Sequence, residues 1–147
     1  MAKVRRSTVS LKREPALKAS RVVLGNLKLV YVLVTDKRLK YPTGKSRVAY
    51  IGTTKNGVAR IAQSVATRSD SILKLVGVKT FRARVVTCRP RQKVKIWHKL
   101  ERALLIAFRD AYGAVPVCNS KGKKMKETNE FALFARARIN EVLADLA

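Results

Sequence analysis

The chain has 147 residues, of which 33 are Lys or Arg and 9 are Asp or Glu, for a formal net charge of +24. A hydrophobic fraction of 47% supports one packed core and excludes wholesale disorder, and the length suits one domain rather than two. No apolar run reaches the roughly 18 residues of a membrane span, so the expected charge-balancing partner is DNA first and RNA second, with no membrane partner.

Met1 to Asn26 reads as a basic N-terminal arm, with a short helix from Ala16 to about Val23. The arm suits phosphate contacts and also matches an organelle transit peptide weakly. The expected location is cytoplasmic or nucleoid-associated, with organelle import left open. Leu27 to Ala147 is the folded domain. Cys88 and Cys118 read as buried or half-buried thiols of a reducing compartment. With one histidine in the chain, they do not complete a four-ligand zinc site without carboxylates.

Leu27 to Thr35 is apolar at alternate positions on both sides, which predicts a central strand covered on two faces. Asp36 to Ser46 predicts a polar hairpin loop and Arg47 to Gly52 the return strand. Asn56 is placed to cap a helix running to about Arg68, with a second short helix over Ser71 to Leu75. Val78 to Cys88 predicts a third strand, stopped by Pro90. Gln92 to Tyr112 carries an apolar stripe of Val94, Trp97, Leu100, Leu104, Ala107, Phe108 and Ala111, closed by Gly113. Trp97 is expected in the core. Ala114 to Glu127 is a basic loop, and Asn129 to Leu146 a final amphipathic helix. The order predicts an α+β fold, with a small three-stranded antiparallel sheet flanked by helices.

Acids are scarce, so each has weight. Asp36 and Asp70 fall at loop or helix edges. Asp110, Glu127, Glu130, Glu141 and Asp145 read as helix-surface or capping charges. Glu101 sits mid-helix beside the apolar stripe, four residues after Trp97. It has two readings: an ion pair with a nearby base such as Lys99 or Arg102, or an oxygen ligand for a hard divalent cation.

Leu-Val-Tyr-Val-Leu around Tyr31, Val-Ala-Tyr-Ile-Gly-Thr-Thr around Tyr50, Asn-Gly-Val-Ala-Arg-Ile ending past Arg60, Leu-Glu-Arg-Ala-Leu-Leu around Glu101 and Gly-Ala-Val-Pro-Val-Cys-Asn at Asn119 occur in that order. Together they resemble the GIY-YIG nuclease domain from about Leu29 to Asn119. The resemblance implies a phosphodiester-cleaving endonuclease using one Mg²⁺ (or Mn²⁺) held by Glu101. Tyr50 is then the water-activating base, its phenol lowered by nearby cations. Tyr31 positions water or phosphate, Arg60 holds a phosphate oxygen, and Asn119 fixes the geometry. Three departures stand out, the first being that the tyrosines are nineteen residues apart, more than the resemblance implies, with the surplus in Asp36 to Ser46. The first motif lacks its glycine, and Thr53 occupies a place where many members have lysine.

The extra residues between the tyrosines are basic. Lys37, Arg38, Lys40, Lys45 and Lys55, with Lys121, Lys123, Lys124 and Lys126 of the later loop, are expected to grip the DNA backbone without reading sequence. The alternative is a non-catalytic, ribosome-associated RNA-binding protein on the same scaffold. A protein partner for targeting is open in either case, as is the oligomeric state.

Overall fold

A computed structural model describes residues 5–20, 28–91 and 93–147. Its described elements are β1 (Leu29–Tyr41), β2 (Gly44–Thr54), α1 (Gly57–Leu73), β3 (Phe81–Val86), α2 (Ile96–Tyr112), α3 (Glu130–Leu133) and α4 (Arg136–Leu146). The fold is α+β, with an antiparallel three-stranded sheet in the order β2-β1-β3. Among the described residues, no helix is long and apolar enough to cross a membrane.

β1 is the central strand, and its two apolar faces serve two layers. Val30 and Val32 pack with Leu100, Leu104, Phe108, Ile139 and Leu143 of α2 and α4. Leu29, Tyr31 and Leu33 pack with Ile61 and Ile72 of α1. The register of β1 on β2 shifts between Leu33↔Tyr50 and Val34↔Val48. Ala49 is therefore the extra residue of a bulge, and Ala49 and Tyr50 both join the α1 layer.

The expected loop Asp36 to Ser46 is instead a continuation of both strands, turning at Pro42 and Thr43. Tertiary contacts extend it. The Tyr41 ring lies edge-on to Phe108 at 5.0 Å, and its hydroxyl donates to Val48 O at 2.6 Å. Thr43 N donates to Tyr112 O at 3.1 Å, which fastens the ribbon tip to the end of α2. Gly113 ends α2 in the left-handed conformation at φ 80°, as its position predicts.

Several boundaries differ from expectation. Residues 16–20 are not helical, and the rest of the helix expected there lies outside the described residues. α1 is one helix to Leu73, not two, and Asn56 makes no side-chain cap hydrogen bond. β3 and α2 are shorter than their apolar patterns. Trp97 is half-buried at the start of α2, with Lys28 Nζ 4.7 Å from its ring centroid.

The last helix is broken at Phe134, whose backbone is extended (φ −129°, ψ 131°). Glu130 accompanies this break and is not a surface charge, since it is 0% exposed. It accepts from Arg102 Nε and from Thr128 N, each at 2.6 Å. Burial works against its charged form, but the Arg102 guanidinium and Thr128 donors outweigh that and hold the carboxyl at about 2.

Glu130→Ala strands the Arg102 guanidinium and is expected to cost on the order of 2–3 kcal/mol in urea unfolding. Because the folded carboxyl lies below its ordinary 4.5, its stabilisation is complete above pH 4.5 and fades as pH falls toward 2. Glu130→Gln should flatten this acid-side loss in unfolding midpoints. Parallel pH profiles for the two proteins would contradict the assignment.

Candidate active site

A cavity of about 320 Å³ is lined by Tyr31, Tyr50, Thr53, Arg60, Ser64, Thr67, Arg68, Glu101 and Lys121. It draws on both layers, since Tyr31 and Tyr50 belong to the α1 side and Glu101 to α2. Four of the five expected catalytic residues thus share one space. Asn119 does not line it but stands behind it. Its Oδ1 accepts from Ile51 N and its Nδ2 donates to Ile51 O, both at 2.9 Å. Asn119 is therefore a positioning residue for the strand segment that carries Tyr50.

The two phenol rings lie 5.9 Å apart between centroids. Tyr31 donates to Ser64 Oγ at 2.7 Å, which fixes its hydroxyl against α1. Gly52 leaves room for the pair. A Cβ there would stand 2.7 Å from Tyr50 Cε1 and 2.8 Å from the Tyr31 hydroxyl.

Arg68 holds Tyr50. Its guanidinium lies 3.7 Å from the Tyr50 ring centroid, and Nη2 donates to the hydroxyl at 3.0 Å. The expectation of a lowered phenol is nevertheless not met. Burial first, then neighbouring Tyr31, push the Tyr50 phenol above its ordinary 10.0, and Arg68 offsets only part of this.

Glu101 is 3% exposed. Lys99 and Arg102, the expected ion-pair partners, turn to Glu130 instead, because residues one or two apart on a helix do not face each other. The partner is Lys121, whose Nζ lies 2.8 Å from Oε1. Oε2 is buried and has no hydrogen-bond partner among the described residues. An unmatched buried carboxylate oxygen is costly unless a further group completes it.

That oxygen is where a cation fits. The other donors around the cavity are hydroxyls of Tyr, Ser and Thr, and no cluster of three or more His, Cys, Asp or Glu exists among the described residues. Hard oxygen donors with a single carboxylate suit Mg²⁺ or Mn²⁺ completed by water and phosphate oxygens, not tetrahedral zinc.

Arg60 is exposed at the rim, and its Nη1 donates to Gln63 Oε1 at 2.8 Å. The residues that sequence reasoning assigned no specific place in the site are Ser64, Thr67 and Arg68. Their signal was present, because with Arg60 they repeat at the spacing of one helix face.

Of the basic residues expected to grip a backbone, Lys121 alone lines the cavity. Lys37, Arg38, Lys40 and Lys45 stand exposed on the β1–β2 ribbon. Its tip meets α2 at Tyr112, about 16 Å along the helix from Glu101 by helical rise. Lys55, Lys123, Lys124 and Lys126 are exposed as well. The carbonyls of Gly122 and Met125 turn inward to Arg109, at 3.0 and 2.6 Å, which leaves the lysine side chains outside. No family model, curated protein or solved structure matches the chain, so function rests on this geometry.

Gly52→Ala forces a methyl between the two phenols. We expect a stability loss of about 1–3 kcal/mol by chemical denaturation and displaced Tyr31 and Tyr50 ring signals in NMR. Unmoved signals would mean that the glycine does not set the ring spacing.

Proposed function

We propose that the protein is a metal-dependent endonuclease of the GIY-YIG kind that hydrolyses phosphodiester bonds in DNA. The observation that carries this reading is Glu101: a carboxylate with one buried oxygen that has no partner among the described residues, beside two phenols in a cavity otherwise lined by cations and hydroxyls.

A bound Mg²⁺ or Mn²⁺ supplies Lewis-acid polarisation of the phosphate and charge compensation for the leaving oxygen. The chain's own residues do the rest. Arg60, exposed and bonded to Gln63, turns its planar fork to a non-bridging phosphate oxygen. Tyr50, as its phenolate, takes the proton of the attacking water at Oη and becomes a neutral phenol, while the new oxygen–phosphorus bond forms and the bond to the leaving oxygen breaks. Arg68 stabilises that phenolate before the transfer, through the hydrogen bond it already donates to Tyr50 Oη. Tyr31, anchored by Ser64, orients the water. The exposed ribbon and loop lysines attract backbone by counterion release.

Plasmid nicking with Mg²⁺ tests the assignment. Glu101→Gln and Arg60→Ala should each lower the rate at least ~100-fold, the scale of removing one preorganised charge contact. If both match wild type, the catalytic reading fails. A protein that binds nucleic acid with neither metal supporting cleavage fits the RNA-binding alternative.

Tyr50 as base also sets a pH signature. Its phenol lies above 10.0, so the rate should rise with pH across the neutral and mildly alkaline range. Arg68→Met removes the stabilising donor and should move that rise to higher pH, with Arg68→Lys intermediate. An unchanged profile in Arg68→Met would remove Arg68 from the mechanism.

A further inference from the structure

We infer that Lys121 is a resident counter-ion of Glu101 that passes to the phosphodiester when substrate arrives, so that the site takes up a divalent cation and a nucleic-acid strand together. This inference rests on the endonuclease reading and adds how the site is kept quiet without substrate.

A buried carboxylate needs a compensating charge. Among the described residues, Lys121 is the ion-pair partner that Glu101 has. The two side chains differ sharply in setting, with 57% of the Lys121 side chain exposed against 5% for Glu101. The ammonium reaches inward from solvent to occupy the carboxylate.

The backbone on either side of Lys121 is held. Asn119 is bonded to Ile51 on one side, and Gly122 O accepts from Arg109 on the other. The movable part is the four-carbon side chain and its strongly hydrated ammonium. Arg60 and Lys121 line the same cavity as Glu101. A phosphate entering there meets the Lys121 ammonium within the reach of its stem.

A divalent ion at Oε2 and the ammonium on Oε1 repel each other across one carboxylate. A divalent ion arriving alone at Oε2 must either crowd the ammonium held 2.8 Å from Oε1 or displace it and leave it uncompensated. A strand supplies the missing negative charge, accepts the ammonium and frees the carboxylate. Linkage then requires the strand to tighten cation binding and the cation to tighten strand binding by the same factor.

The test is Mn²⁺ binding by the full chain, read by the EPR signal of free Mn²⁺. It is run with and without a short phosphorothioate DNA duplex, which keeps backbone charge and resists hydrolysis. Wild type should bind Mn²⁺ weakly alone and several-fold tighter with duplex. Lys121→Met should bind about 10-fold tighter than wild type without duplex, within the range typical of coupled sites, and gain less when duplex is added. Lys121→Gln keeps a hydrogen-bond donor for the buried acid and should move in the same direction, which guards against a folding defect in the first variant. Lys95→Met removes the same charge about 9 Å away along α2 by helical rise, and should behave as wild type.

If both Lys121 variants bind as wild type does, or Lys95→Met tightens binding as much, the exchange is overturned while the metal site stands. If neither wild type nor the Lys121 variants bind Mn²⁺ even with duplex, the endonuclease reading falls, and the exchange with it.

Discussion

β2 lies at the edge of the sheet, and the backbone groups along its outer side must find partners. Between Ala49 and Ile51 they find them in the segment after α2. Cys118 N donates to Ala49 O at 2.9 Å, and the Asn119 amide satisfies both the N–H and the C=O of Ile51. This substitute for a neighbouring strand closes an edge that would otherwise be open to another chain. It also fixes Tyr50, which lies between the two sealed residues. The same loop then delivers Lys121 to Glu101. The spacing of phenol, carboxylate and ammonium therefore follows from one hydrogen-bonding requirement of an edge strand.

Two buried acids, Glu101 and Glu130, occupy opposite electrostatic situations on or beside α2. Glu130 has a partner for each oxygen, a guanidinium among them, and so acts as a structural staple between α2 and α3. Glu101 has one oxygen paired with a largely exposed lysine and one with no hydrogen-bond partner among the described residues. In a chain with a surplus of 24 positive charges, a carboxylate left half-satisfied is conspicuous, because cations to complete it are plentiful. A fully satisfied network would be stable but inert toward a ligand. The incomplete one leaves an acceptor that a further cation would complete.

Much of the fold was legible in local pattern. The double alternation of β1 announces two layers, and the Gly113 stop follows from the left-handed turn that ends α2. The ribbon beyond Thr35 was not legible, because its polar composition resembles a loop. Its strand character comes from Tyr41 packing on Phe108 and from Thr43 binding the end of α2, contacts some 70 residues apart in sequence. The break in the last helix was hidden for a similar reason. Glu130 is drawn inward by Arg102, 28 residues away, and the periodicity of one segment does not report so distant a partner. Among site residues, the motif order singled out Tyr31, Tyr50, Arg60, Glu101 and Asn119. Arg68 shares a visible helix face with Arg60, Ser64 and Thr67, but the phenol it meets lies on β2, so its role was not legible in α1 alone.

From the residues alone came the charge, the likeness of the β1–α2 segments to a nuclease framework and the short list of side chains able to do chemistry. Those properties are set by composition and by neighbours within a turn or a strand pair. Tertiary structure decided which base compensates Glu101, that one of its oxygens finds no partner among the described residues, and that burial rather than surrounding charge governs the Tyr50 phenol. Each of these depends on distances across the sheet edge, where desolvation and contact geometry arise only once β2, α1, α2 and the following loop have packed together.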